Sequence, residues 1–189
     1  MELLGVAGSL RRNSHNRKLL ATARRRLPPN VQFTAYEALK LIPPFDEDDE
    51  QSPGPAVSHW RKAIAAADAV LFVTPEYNAS IPGQLKNAVD WASRPKADAV
   101  LLNKPVAVIG ASTSSFGAVW AQAELRKALS AAGARVVDRE LPVPSVADAF
   151  DESGTLMNLD LTLALDSVLV ELLYTAEQHQ LALPPSQNP

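Results

Sequence analysis

The sequence contains no cysteine among its 189 residues. This absence excludes disulfide bonds, metal sites built from thiolates and a cysteine nucleophile. A chain without cysteine is also compatible with a reducing compartment. Any chemistry that this protein performs must therefore come from other side chains, from the backbone or from a bound cofactor.

The chain also lacks an apolar run close to the roughly 18 residues that a membrane span requires. At its start, MELLGVAGSLRR, the apolar stretch precedes the positive charges, whereas a secretory signal peptide has the opposite order. We therefore expect a cytoplasmic protein that does not enter a membrane. The net charge of −3 does not favour nucleic acid as its main partner.

Short apolar segments alternate with segments of helical spacing, which is typical of an α/β fold. The predicted strands are residues 3–7, 31–36, 69–74, 106–110 and 134–137. The predicted helices are residues 16–27, 57–67, 82–93, 118–132 and 156–180. Right-handed crossovers would join these elements into a doubly wound parallel sheet. Residues 1–183 are expected to form one domain, and residues 184–189 a disordered tail.

The start of the second helix is open on sequence grounds. It could lie earlier than Val57, with Ser52 as its cap and Pro53 in its first turn. In a doubly wound sheet, ligands bind where the carboxyl ends of the strands meet the following loops. The loops expected there are the first loop (residues 8–16), the second loop (residues 75–83) and the third loop (residues 111–117).

The first loop has the features of a phosphate site. It opens a helix, whose first N–H groups are unpaired and carry partial positive charge. Ser9, Ser14 and Asn16 add short polar groups, and Arg11 adds a permanent charge. Because the loop has neither the G-x-x-x-x-G-K-[ST] nor the G-x-G-x-x-G pattern, it suits a terminal phosphomonoester best. The alternative is that Ser14 only caps the helix and the arginines are ordinary surface residues.

The second loop suits a flat ring. Pro75 and Pro82 restrict the backbone at both ends of it. Between them, Tyr77 supplies an aromatic face and Asn78 both donates and accepts hydrogen bonds. The alternative is an ordinary turn whose tyrosine packs on a neighbouring helix.

No metal site is expected. The acidic run at residues 46–50 lacks the alternating ligand positions of a calcium loop, so we interpret it as a solvated loop. His59 and His179 lie on predicted helices without metal-ligand spacing, and are expected at the surface or in an interface. His15 lies in the first loop, where we expect it to be exposed.

Three segments resemble signatures of the NADPH-dependent FMN reductase family, which includes quinone, chromate and azo-dye reductases. They are GSLRRNSHNRKLL, LIPPFDEDDE and VTPEYNASIPGQLKNAVDWASRP. The similarity runs in family order from Leu3 to about Arg139. It implies a flavodoxin-like three-layer sandwich with a five-stranded parallel sheet of order 2-1-3-4-5. It also implies FMN as the cofactor and NADPH or NADH as the hydride donor.

The resemblance also implies the residues that contact FMN. Those at the phosphate would be Ser9, Arg11, Ser14 and Asn16, and those at the isoalloxazine ring Pro75, Glu76, Tyr77 and Asn78. The third loop would add Ser112, Ser115 and Gly117, although many relatives have a second glycine where this chain has Ala118. No catalytic side chain is expected, because flavin N5 takes the hydride. A homodimer through the third and fourth helices, or a tetramer of two such dimers, is implied as well.

The expected function is transfer of electrons from NAD(P)H through FMN to quinones, chromate, azo or nitro compounds, or free flavin. Three alternatives stay open on sequence grounds. The first is a flavodoxin-type carrier that binds FMN without reacting with NAD(P)H. The second is a reductase that releases reduced FMN as its product, and the third is a non-enzymatic interaction protein on the same fold.

Overall fold

The computed structural model describes residues 1–182, so the predicted tail at residues 184–189 lies outside the described part of the chain. The strands are β1 (Glu2–Ala7), β2 (Gln32–Ala35), β3 (Ala69–Thr74), β4 (Pro105–Ala111), β5 (Arg135–Val136) and β6 (Pro142–Val143). The α-helices are α1 (His15–Arg25), α2 (Pro55–Ala66), α3 (Gly83–Ala92), α4 (Val119–Ala131) and α5 (Leu159–Ala182). Within residues 1–182, no helix is both long and apolar enough to cross a membrane.

The strands form one parallel sheet in the order β2-β1-β3-β4-β5, which confirms the predicted order. The prediction of five strands was wrong in one respect, because β6 also pairs with β4. β5 pairs with the start of β4 at Pro105 and Val106, whereas β6 pairs with its end at Gly110 and Ala111. The last position in the sheet is therefore filled by two short strands in succession.

Side chains of α4 bond the backbone between β5 and β6. The guanidinium of Arg126 donates to the carbonyl oxygens of Val137 and Arg139, at 2.7 and 3.1 Å. The amide oxygen of Gln122 accepts the N–H of Leu141 at 3.2 Å. These bonds satisfy backbone groups that a continuous fifth strand would have paired with β4. A strand as short as β6 leaves no periodic pattern in the sequence, which is why it was missed.

Each face of the sheet is covered by its own apolar layer. Val70 and Phe72 of β3 point into a layer shared with α2, α3 and α4, which contains the buried Trp60. Leu71 and Val73 point into the opposite layer, shared with α1 and α5. Since β3 is buried on both faces, its sequence AVLFVT is apolar throughout rather than alternating. The predicted three-layer α/β sandwich is confirmed.

Two helices begin two or three residues away from their predicted starts. Gly54 occupies the N-cap of α2 and Pro55 its first helical position, so α2 begins before the predicted Val57 but after the alternative start with Ser52 as cap. α5 begins three residues after the predicted start, because the preceding segment forms a turn of its own. In that turn the Asp151 carboxylate accepts the Ser153 hydroxyl at 2.7 Å and the Thr155 N–H at 2.9 Å. These bonds lower the pKa of Asp151 below its ordinary value.

Candidate cofactor site

The three loops meet at the carboxyl ends of β1, β3 and β4 and enclose an open cavity of about 220 Å³. Eight of the residues predicted to contact FMN line this cavity: Ser9, Arg11, Ser14, Asn16, Pro75, Glu76, Tyr77 and Ser112. His15, Ala111, Thr113 and Val146 complete its wall. The predicted residues Asn78, Ser115 and Gly117 are not part of this wall. The fold therefore brings together side chains that are about 100 positions apart in sequence.

The first loop presents the start of α1 to the cavity. Ser14 is the N-cap, and its hydroxyl oxygen accepts the N–H of Asn16 at 3.1 Å. Ser9 and Ser14 are both buried, whereas Arg11 is exposed and forms no ion pair within residues 1–182. The first turn of α1 has no acidic residue. Unpaired N–H groups, hydroxyls and a free guanidinium together favour a bound anion.

Asn16 has a structural contact that the sequence did not reveal. Its side-chain amide donates to the carbonyl oxygen of Ala111 at 2.9 Å and accepts the N–H of Ala111 at 3.0 Å. Both residues are buried, so the pair of bonds satisfies backbone groups at the end of β4 that water cannot reach. Asn16 thereby joins the start of α1 to the start of the third loop.

The second loop contains a tight hairpin at its tip. The backbone groups of Tyr77 and Ser80 bond to each other in both directions, at 2.9 and 3.1 Å. Between them, Asn78 and Ala79 both adopt left-handed conformations, with φ of 53° and 58°. A two-residue hairpin with both φ values positive is the type I′ class, which usually contains glycine. The hairpin leaves Tyr77 half exposed at the mouth of the cavity.

Glu76 of the second loop caps α4. One of its carboxylate oxygens accepts the N–H groups of Trp120 and Ala121, at 3.1 and 3.2 Å. The N-cap position of α4 is Ala118, which has no side-chain acceptor of its own. The negative charge of Glu76 therefore lies at the positive end of a helix dipole, which offsets its repulsion of an anion in the cavity. An alanine at the N-cap was the only sequence signal for this contact.

The third loop is hydrogen-bonded to the end of β6 and to the segment that follows it. The N–H of Ser112 donates to the carbonyl oxygen of Val143, and the N–H of Val146 donates to that of Ser112, both at 3.1 Å. Val146 thereby reaches the cavity wall, although nothing in its sequence context indicates a role there. Gly117 serves packing, since a Cβ on it would lie 2.7 Å from the carbonyl carbon of Pro142.

His15 was expected to be an exposed loop residue, and this expectation was wrong. It is the first residue of α1, half-buried in the cavity wall, and its Nδ1 is buried without a hydrogen-bond partner in the described part of the chain. Burial lowers the pKa of His15, and the charges of Lys18 and Arg11 lower it further. His15 is therefore neutral near pH 7, which leaves Arg11 as the cation in the cavity wall.

The remaining histidines and the acidic run lie away from the cavity. His59 is exposed, with Nδ1 3.3 Å from the Tyr36 hydroxyl, and His179 is half-buried on α5. Residues 46–49 are exposed, and Glu50 is half-buried. Among residues 1–182, no group of three His, Cys, Asp or Glu side chains is arranged to hold a metal ion.

The cavity fits a phosphate-bearing cofactor such as FMN. The first loop offers an anion site at a helix start, with Arg11 unpaired within residues 1–182. The single carboxylate in the wall, that of Glu76, is engaged by α4. Pro75 and Tyr77 add a rigid and an aromatic surface beside the anion site. The cavity lies at the carboxyl ends of the strands, where open α/β sheets bind their ligands.

Comparison with known proteins places this site in a family. The family model described as NADPH-dependent FMN reductase matches residues 1–148. An NAD(P)H-dependent FMN reductase of Pseudomonas aeruginosa is 40% identical over 161 residues, which is 84% of this chain and 85% of that protein. A quinone reductase of Escherichia coli K12 is 37% identical over 141 residues, or 74% of each chain. The flavoenzyme NAD(P)H:(acceptor) oxidoreductase FerB of Paracoccus denitrificans has a similar structure, with a TM-score of 0.83 and 30% identity over 94% of this chain and 98% of that chain.

Proposed function

The chain belongs to the NADPH-dependent FMN reductase family, and on this premise we propose that it passes electrons from NAD(P)H through FMN to quinones and similar small acceptors. It is an oxidoreductase with FMN as cofactor and NAD(P)H as hydride donor. The observation that carries the proposal is the cavity where the three loops meet, which combines an anion site with a half-exposed tyrosine. Quinones are proposed as acceptors because several relatives, among them a 2-hydroxy-1,4-benzoquinone reductase of a Burkholderia species at 42% identity, are named for them.

In this proposal the first loop holds the phosphate. The buried hydroxyl groups of Ser9 and Ser14 donate hydrogen bonds to the phosphate, and Arg11 supplies the positive charge. The N–H groups of the first turn of α1 point at the anion. Asn16 keeps the helix start in place through Ala111 and has one further N–H to offer.

The second and third loops hold the ring in this proposal. When bound, FMN supplies the ring that accepts hydride and passes electrons on. Pro75, Glu76 and Tyr77 of the second loop line the cavity, and so does Ser112 of the third loop. The remaining predicted contacts do not line the cavity; they are Asn78, Ser115 and Gly117. No side chain of the protein is assigned a proton transfer.

We further propose a cytoplasmic homodimer, or a pair of such dimers, in which residues 1–183 of each chain form one FMN-binding domain. An exposed aromatic pair at the start of α4 supports a subunit contact there. Phe116 and Trp120 are 58% and 47% exposed, and their ring centroids are 4.8 Å apart. Exposed neighbouring aromatic side chains are typical of protein–protein interfaces.

Anaerobic stopped-flow absorbance tests the proposed function. The protein is reconstituted with FMN and mixed with NADPH or NADH, and a benzoquinone is then added. We expect the flavin band to bleach with at least one nucleotide and to return with the quinone. Bound flavin that neither nucleotide bleaches would refute the reductase cycle. Bleaching that chromate, azo or nitro compounds reverse but quinones do not would refute the proposed acceptor.

Arg11→Ala tests the proposed phosphate site. Loss of one charge-assisted contact to the phosphate should weaken FMN binding about tenfold, as measured by quenching of flavin fluorescence. Arg12→Ala is the matched control, because Arg12 is the exposed neighbour that does not line the cavity. Equal losses in the two variants would mean that general charge, rather than this site, attracts FMN.

A further inference from the structure

Two carboxylates connect the second loop with α4. One belongs to the loop and accepts hydrogen bonds from the helix, and the other belongs to the helix and accepts hydrogen bonds from the loop. Glu76 of the loop accepts the N–H groups at the start of α4. One turn further along α4, a carboxylate oxygen of Glu124 accepts the Ser80 hydroxyl at 2.5 Å and the Ile81 N–H at 3.4 Å. The two contacts bracket the Tyr77–Ser80 hairpin, so both of its ends are tied to the same helix.

This double attachment bears on the conformation of the hairpin. Left-handed backbone at Ala79 costs about 1–2 kcal/mol, and such a conformation persists only where its surroundings hold it. Tyr77, Asn78 and Ala79 are exposed and are not stabilised by packing in the apolar core. Ile81, at the base of the loop, is buried. Besides its own two backbone bonds, the hairpin is therefore held chiefly by Glu76 and Glu124.

We propose that Glu124 is a positioning residue for the cofactor. Through Ser80 and Ile81 it holds the hairpin against α4, and the hairpin in turn presents Tyr77 to the ring of FMN. This inference rests on the proposed function, because it takes the second loop to be the ring-binding loop. Glu124 itself does not line the cavity and touches neither cofactor nor acceptor. Its loss should affect how FMN is held while leaving the anion site of the first loop intact.

Four variants test the proposal in the FMN-loaded protein. Glu124→Ala removes the acceptor, Glu124→Gln retains an acceptor oxygen without the charge, and Ser80→Ala removes one donor. Combining Glu124→Ala with Ser80→Ala gives the fourth variant and completes a double-mutant cycle. Lys127→Ala is the matched control, since Lys127 is exposed on α4 and forms no hydrogen bond or ion pair within residues 1–182.

The expected result is a pattern of FMN dissociation constants with a spectroscopic signature. Because hydrogen bonds to charged groups are the strong ones, Glu124→Ala should weaken FMN binding about tenfold and Ser80→Ala about threefold. The double variant should lose about tenfold, not the thirtyfold expected of independent effects. Glu124→Gln should stay within about threefold of the wild type, and Lys127→Ala should match it. Of the three single variants Glu124→Ala, Glu124→Gln and Lys127→Ala, only Glu124→Ala should change the visible circular dichroism of bound flavin.

Several outcomes would overturn the proposal. One is a Glu124→Ala variant that melts at a lower temperature but binds FMN with unchanged affinity and unchanged visible circular dichroism. Others are multiplicative losses in the cycle, or a Glu124→Gln variant as damaged as Glu124→Ala. If Glu124→Ala does not fold, the Ser80→Ala variant tests the proposal by itself, and unchanged FMN binding by Ser80→Ala refutes it. Failure of the wild type to bind FMN would instead refute the proposed function on which the inference rests.

Discussion

Gly117→Ala should destabilise the protein by about 3 kcal/mol, which makes it a strict test of how the third loop is built. Gly117 has φ of +61°, a left-handed conformation that costs an alanine about 1–2 kcal/mol. The added Cβ would also lie 2.7 Å from the carbonyl carbon of Pro142 and 2.8 Å from the nitrogen of Val143. Both are backbone atoms of β6, so relief of the contact requires a backbone shift, at about 1–3 kcal/mol.

The neighbouring residue helps to separate these two contributions. Ala118 already adopts a left-handed conformation, with φ of 64°, and is fully buried. The fold therefore tolerates an alanine in this conformation where space is available. At Gly117 the approach of β6 leaves no such space, and the steric contribution should dominate.

Urea unfolding of the flavin-free protein measures the effect without interference from changed FMN affinity. For a chain of this length, about 3 kcal/mol corresponds to a melting temperature roughly 9 °C lower. Gly83→Ala is the control, because nothing lies within 4 Å of its Cβ position and α3 begins at Gly83. It should be neutral or stabilising by up to about 1 kcal/mol. A Gly117→Ala variant within about 1 kcal/mol of the wild type would refute the packing argument.

Three further predictions concern single side chains. Asn16→Ala leaves the buried N–H and C=O of Ala111 unpaired and should lower the free energy of unfolding in urea by about 2–4 kcal/mol; a loss below about 1 kcal/mol would contradict this. Ala79→Gly relieves left-handed strain in a type I′ hairpin and should raise the same free energy by about 1 kcal/mol, and a decrease would argue against the hairpin geometry. Burial and two neighbouring cations lower the pKa of His179, so the unfolded chain binds the proton more tightly than the folded one. Stability should therefore fall as the pH drops below about 6.5, and the wild type should lose more between pH 7.5 and pH 5 than His179→Gln; equal losses would contradict the assignment.

Much of the architecture was predictable because it follows from local patterns. β3 is buried on both faces, so its sequence is an unbroken apolar run whose bounds were predicted without error. The first loop could be predicted as an anion site because hydroxyls and arginines precede a helix in a segment without acidic residues, and this stays a prediction. Once the sheet order is known, three loops at the carboxyl ends of neighbouring strands must lie side by side. The position of the site thus follows from the loops that the sequence predicts together with the sheet order.

The contacts that hold the site together could not be predicted from the sequence. Asn16 bonds to Ala111, 95 residues away, and Glu76 caps a helix that begins more than 40 residues later. Contacts between distant positions leave no periodic signal, and a carboxylate that caps a remote helix has the same sequence context as one in solvent. β6 is too short to show alternation, yet its approach explains why glycine is needed at Gly117. The layers and the loops that form the cavity follow from patterns in the sequence, and the strand order was implied by the family resemblance. The hydrogen bonds that hold those loops in place join residues far apart in the chain. Such residues come close to each other only once the fold has formed.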